Sequence, residues 1–230
     1  MRFLTLLRKE LRECLPWILA AAIFFLVLGS VTLRLAMIVD NEQRYPLFMG
    51  GGDVIVSYFH RVSVLDGCGG PLMLVSIGLG LALAARQFWQ ENSARTWGFT
   101  LHRSVARQTI LWAKLSAAAM ALVIPLGAIW TGFYWYACQE GVFMLPPVPR
   151  VFVEGWFFLA AGALIYLGTA LTSLSTARWY TTKVFGFILA ILICVMVFNQ
   201  WRLLPAFVII VIGAAALLSQ IIDTFLNREF

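Results

Sequence analysis

The stretch FGFILAILICVMVF (185–198) contains no charged, amide or hydroxyl side chain. Strands of a membrane barrel are about ten residues long and alternate in polarity. This run is longer, does not alternate and is apolar on every face, so it reads as a helix in apolar surroundings. Moving outward, the same character recurs. A bilayer-spanning helix needs about 20 mostly apolar residues. Six segments qualify: 15–39, 70–88, 109–136, 151–175, 183–200 and 203–224. They take up nearly all of the 230 residues. Charged residues make up 12% of the chain, against about 25% in soluble domains, too few to cover a water-facing surface. The expected fold is all-α: a polytopic membrane protein with six transmembrane helices in one domain, 1–230, and an N-terminal amphipathic interfacial helix.

That interfacial helix is expected over 1–14, MRFLTLLRKELREC. Phe3, Leu4, Leu7, Leu11 and Cys14 share a helical face, while Arg2, Arg8, Lys9, Arg12 and Glu13 lie elsewhere. A helix lying at the headgroup level has this pattern. Pro16 suits a bend into the first span; a plain extension of that span is the alternative. A cleaved signal peptide has an apolar core of about 7–15 residues and a small-residue cleavage site. The run from Leu15 to Leu33 is longer and no A-x-A follows it, so an uncleaved first helix is expected.

Lysine and arginine near span ends set orientation. Arg2, Arg8, Lys9, Arg12, Arg86, Arg95, Arg103, Arg107, Lys114, Arg178, Lys183 and Arg228 fall on the N-terminal side, and only Arg34, Arg44, Arg61, Arg150 and Arg202 on the other. Both termini are thus expected in the cytoplasm, and 40–69 becomes an extracytoplasmic loop. The surplus of six positive charges is a topology signal. Nucleic-acid binding would want a basic, aromatic-laced soluble face, so no nucleic acid is expected as a partner.

Motifs for catalysis are absent. There is no G-x-S-x-G, no H-E-x-x-H and no phosphate loop; the residues before Lys9, Lys114 and Lys183 are Arg8, Ala113 and Thr182. No C-x-x-C occurs among Cys14, Cys68, Cys138 and Cys194, and no metal site is expected. Cys68 and Cys138 fall on the same outer side, either as a disulfide or as two small apolar residues near helix ends.

Within the spans, Gly78 with Ala82 and Gly80 with Ala84 have the spacing that lets helix backbones approach. Pro125 marks a place for a kink. GTALTSLST (168–176) puts Thr169, Thr172 and Thr176 on one face with Ser173 beside them. These hydroxyls serve either helix packing or a polar strip along a substrate path.

One polar island interrupts the apolar chain: RQFWQENSARTWGFTLHRSVARQT (86–109). Trp97, Phe99 and Leu101 are bulky groups able to fill a partner's groove, and Arg95, His102, Arg103 and Arg107 surround them, as aromatic anchors and arginine do at protein interfaces. A plain basic loop obeying the positive-inside rule is the alternative.

This island, with the six spans and basic amphipathic start, resembles the type-2 membrane permeases of ATP-binding-cassette transporters. In that family the loop between spans two and three has a glutamate, a Gly-Thr-like turn, a basic patch with serine and arginine, and then a helix bearing lysine. Here these are Glu91, Thr96 with Gly98, His102-Arg103-Ser104-Val105-Ala106-Arg107, and Lys114. The chain departs from the family in lacking proline before the Ser/Arg patch, and in joining spans five and six by only NQWRL (199–203).

The resemblance implies a permease subunit, an exporter, paired with a second permease of the same or a different sequence in a bacterial inner membrane. A separate ATPase subunit would carry ATP and Mg; no cofactor is expected in this chain, and it is not expected to be an enzyme by itself. The ATPase would grip the coupling loop, 86–109, at Glu91, Arg95, Trp97, Phe99, Arg103, Ser104 and Arg107. A smaller contact is expected at Arg178. Two other classes stay open: a non-transporting membrane scaffold, and an intramembrane lipid-modifying enzyme using His60, Asp53 and Asp66.

Overall fold

The computed structural model describes residues 2–44, 66–93, 106–143, 147–175, 184–200 and 202–227. Regular structure among them is helical: α1 (Arg2–Arg44), α2 (Asp66–Ala84, carried on through Ala85–Trp89 and Gln90–Ser93), α3 (Arg107–Ala137), α4 (Pro149–Leu174), α5 (Phe185–Phe198) and α6 (Leu203–Asn227). Five of them, all but α5, are long and apolar enough to cross a membrane. By length and composition the chain is an integral membrane protein.

Two elements differ from expectation. First, α1 is one unbroken helix of 43 residues with Pro16 inside it, about 64 Å long at 1.5 Å per residue. The first fourteen residues are thus continuous with the span, without a turn at Pro16. Their inward side also differs: Glu10 and Cys14 are buried, whereas Phe3 and Leu4 are exposed. The reason is polar, because Glu10 meets a lysine from α3. Second, α5 has 14 residues, about 21 Å, short of the roughly 30 Å hydrocarbon core. Val184 and Asn199, at its two ends, already lie outside the helix.

The centre of the bundle is α4, which packs against α2, α3, α5 and α6. Close approach needs glycine where it meets α2. A Cβ on Gly162 would lie 2.5 Å from Ser76 O, and one on Gly80 would strike Gly162 O. Ser76 Oγ donates to Phe158 O at 2.7 Å across the same seam. Of the two small-residue pairs on α2, Gly80 and Ala84 are therefore the packed pair, whereas nothing lies within 4 Å of a Cβ on Gly78. On the other side of α4, Gly168 meets Gly186 of α5. Pro125 lies within the continuous α3 helix. The apolar windows of α3 and α4 are each 61% buried, but those of α1 and α6 only 17% and 22%; α1 and α6 are thus the peripheral helices.

Candidate functional site: a buried ionic junction at the base of the polar loop

Where α2 leads into the polar island it changes form. Ala85–Trp89 make a single π turn, and Gln90 N–H bonds back to Ala85 O, five residues earlier. Such turns are rare and occur often at functional sites. The wider turn buries the consecutive residues Gln87 and Phe88. A side chain can insert where the regular ladder is disturbed, and here it is Lys114 of α3.

The Lys114 side chain is 1% exposed. Its ammonium donates to Glu91 Oε1 on α2 at 2.8 Å, to Glu10 Oε1 on α1 at 3.0 Å and to Gln87 O at 3.3 Å. An ammonium has three donors, so these three bonds use its full capacity. It also stands 5.9 Å from the centre of the Phe88 ring. Gln87 extends the cluster. Its amide nitrogen donates to Lys114 O at 3.4 Å and reaches Cys14 Sγ at 3.7 Å, and its amide oxygen accepts from Tyr166 OH of α4 at 2.6 Å.

An outer layer follows. Arg86 bonds Glu13 at 3.2 Å and Gln90 Oε1 at 2.7 Å, and Asn92 Nδ2 donates to Ser173 O at 3.1 Å. Four helices are thereby tied at one point. The chemistry of the arrangement is fastening, since most of these bonds run from one helix to another. Two carboxylates face one lysine, so the inner cluster depends on that single cation: removing one partner of a buried pair leaves an uncompensated charge.

The sequence-derived sites divide as follows. Glu91 is at the centre of the junction, facing Lys114. Arg107 is exposed and its guanidinium donates to Leu226 O at 3.5 Å. Arg95, Trp97, Phe99, Arg103, Ser104, Arg178 and Thr176 lie outside the described residues, as do His60 and Asp53. The α4 hydroxyls are engaged locally: Thr169 bonds Ile165 O, Ser173 bonds Thr169 O, and Thr172 bonds Gly168 O while accepting from Phe187 N of α5 at 3.0 Å. Cys68 is a free thiol in contact with Thr32 Oγ1 at 3.3 Å, and Cys138 is free and exposed.

Glu10, Gln87 and Tyr166 escaped the sequence reading. A signal for them existed. Lys114 lies in the apolar run ILWAKLSAAAM, and a lysine within a span calls for a partner. No family model matches the chain, and neither a curated protein nor a solved structure matches it.

Proposed function

We propose that the chain is the permease subunit of an ATP-binding-cassette exporter, driven by a separate ATPase that docks on the 86–109 loop. The observation that carries this reading is the buried Lys114–Glu91–Glu10 junction at the base of that loop. A loop meant to receive force needs a stiff root, and this root joins α1, α2 and α3. Rigid-body movement applied to the loop would pass into all three helices together. Glu91 then acts by holding the root, while Arg103 and its neighbours meet the ATPase.

In this reading the bundle has six spans, with α5 as a short sixth that leaves the bilayer thinner around it. The first residues of α1 continue the span toward the cytoplasm as part of the same helix, and both termini are cytoplasmic. Two permeases, alike or different, pair around the substrate path in a bacterial inner membrane. ATP and Mg belong to the partner subunit.

The test is co-purification with a candidate ATPase, followed by an ATPase assay in lipid. Arg103→Glu should release the partner, and Glu91→Ala should uncouple it. Normal binding and normal stimulated hydrolysis in both variants would sink the coupling role.

A further inference from the structure

At the end of α4 opposite Lys114, a cavity of about 340 Å³ opens between α4, α5 and α6. From Arg150 to Ser173 the α4 axis runs about 35 Å at 1.5 Å per residue, so this cavity and the ionic junction occupy opposite ends of the bundle. Its volume is within the roughly 300–1,000 Å³ of small-molecule sites. Its lining has two characters. Phe158 and Phe198 stack at 5.4 Å between centroids and form an apolar wall. Phe158 is set in place from behind, because it packs over Gly69 of α2. The rim is polar: Arg150, Arg202, Glu154 and Asn199. Arg150 Nε bonds Glu154 Oε1 at 2.6 Å, which orients one guanidinium. Arg202 is exposed at the start of α6. Two arginines against one carboxylate give the rim one positive charge in surplus.

We infer that this cavity binds the phosphate headgroup of an anionic membrane amphiphile, with its hydrocarbon along Phe158 and Phe198. Guanidinium groups match phosphate oxygens with several directed N–H bonds. The apolar wall favours an amphiphile over a free anion. The site stands apart from the loop and needs no ATPase, so it does not depend on the proposed function.

The test uses the full chain in neutral detergent, with native mass spectrometry counting retained lipid. The probes are phosphatidylglycerol, phosphatidylcholine with the same acyl chains, and inorganic phosphate. Phosphatidylglycerol should be held roughly tenfold more tightly than phosphatidylcholine, the worth of one charge-assisted bond. Arg150→Gln with Arg202→Gln should erase the difference; both sites are at the surface, so the fold should persist, and gel filtration checks it. Arg12→Gln, exposed on α1, should preserve the difference. Equal retention of the two lipids, or selectivity that survives the double change, overturns the site. Occupancy by inorganic phosphate with the affinity of phosphatidylglycerol overturns the amphiphile and leaves a free-anion site.

Discussion

Replacing Lys114 by methionine keeps most of its volume and removes its charge. The two ion pairs, at 2.8 and 3.0 Å, are each worth roughly 5–6 kcal/mol of attraction at an effective dielectric of about 20, before desolvation. The two carboxylate oxygens are no farther apart than these two bonds laid end to end, so they repel by about 3 kcal/mol or more once the lysine is gone. The Glu91 side chain is 20% exposed and Glu10 9%, so Glu10 carries more of the penalty. The expected loss for Lys114→Met is about 4 kcal/mol, in the range for breaking a buried pair. Equilibrium unfolding in mixed micelles measures it. The decisive comparison is the same substitution made in a Glu10→Gln, Glu91→Gln background, where the loss should vanish or reverse, because Lys114 is there a buried charge with no carboxylate to offset it. An equal loss in both backgrounds would refute the ionic account and assign Lys114 to packing on Phe88.

Three further outcomes are expected. Gly162→Ala should destabilise the bundle by about 1–3 kcal/mol, because the new methyl meets Ser76 O at 2.5 Å; thermal unfolding of the purified chain reads this. Thr172→Val removes the acceptor for Phe187 N and should cost about 1 kcal/mol, with faster amide exchange at the start of α5; unchanged exchange there would return Thr172 to the substrate-path reading. A cysteine at Ser93, an exposed position, should react with an impermeant maleimide from the cytoplasmic side only, and one at Ser57 from the opposite side; labelling of Ser93 from outside would invert the topology.

Helix content and most spans were legible in the sequence because apolar length is a property of the chain itself. Glu91 and Lys114 were also marked, as two parts of a family-like pattern, although not as partners of each other. Glu10 was not, since the apolar face drawn over 1–14 was judged by hydrophobicity alone, and the residue that anchors that segment is charged. Gln87 was hidden by the π turn: an α-helical register through 85–89 misplaces every side chain after the extra residue. The expected span over 183–200 exceeds α5 because it took in Val184, Asn199 and Gln200, whereas the helix is the uninterrupted apolar run Phe185–Phe198. For Glu10 and Gln87 the missing information lay in contacts with Lys114, on a helix far away in sequence.

The packing of α1 explains why one lysine matters so much to the proposed movement. On α1 the inward residues are Glu10, Cys14, Phe25 and Leu33, with Ile18, Ala21, Ala36 and Met37 partly covered. With the buried Gly29 between Phe25 and Leu33, successive residues as far as Ala36 are three or four apart, which is a single helical stripe. Above the junction this stripe is held by shape: Phe133 meets Phe25 edge-on at 5.7 Å between centroids and lies against Gly29. Such contacts permit sliding and tilt, because dispersion is weakly directional. At the loop end the ties are directional: Lys114 holds Glu10, and Arg86 holds Glu13 from a half-exposed position. Of these two, only the Lys114 bond is shielded from water and salt, which weaken surface pairs. Under the proposed function, displacement of the loop would reach α1 chiefly through the Glu10–Lys114 bond. Without it, the proposed movement of α2 and α3 would reach α1 only through side-chain packing and the more exposed Arg86–Glu13 pair.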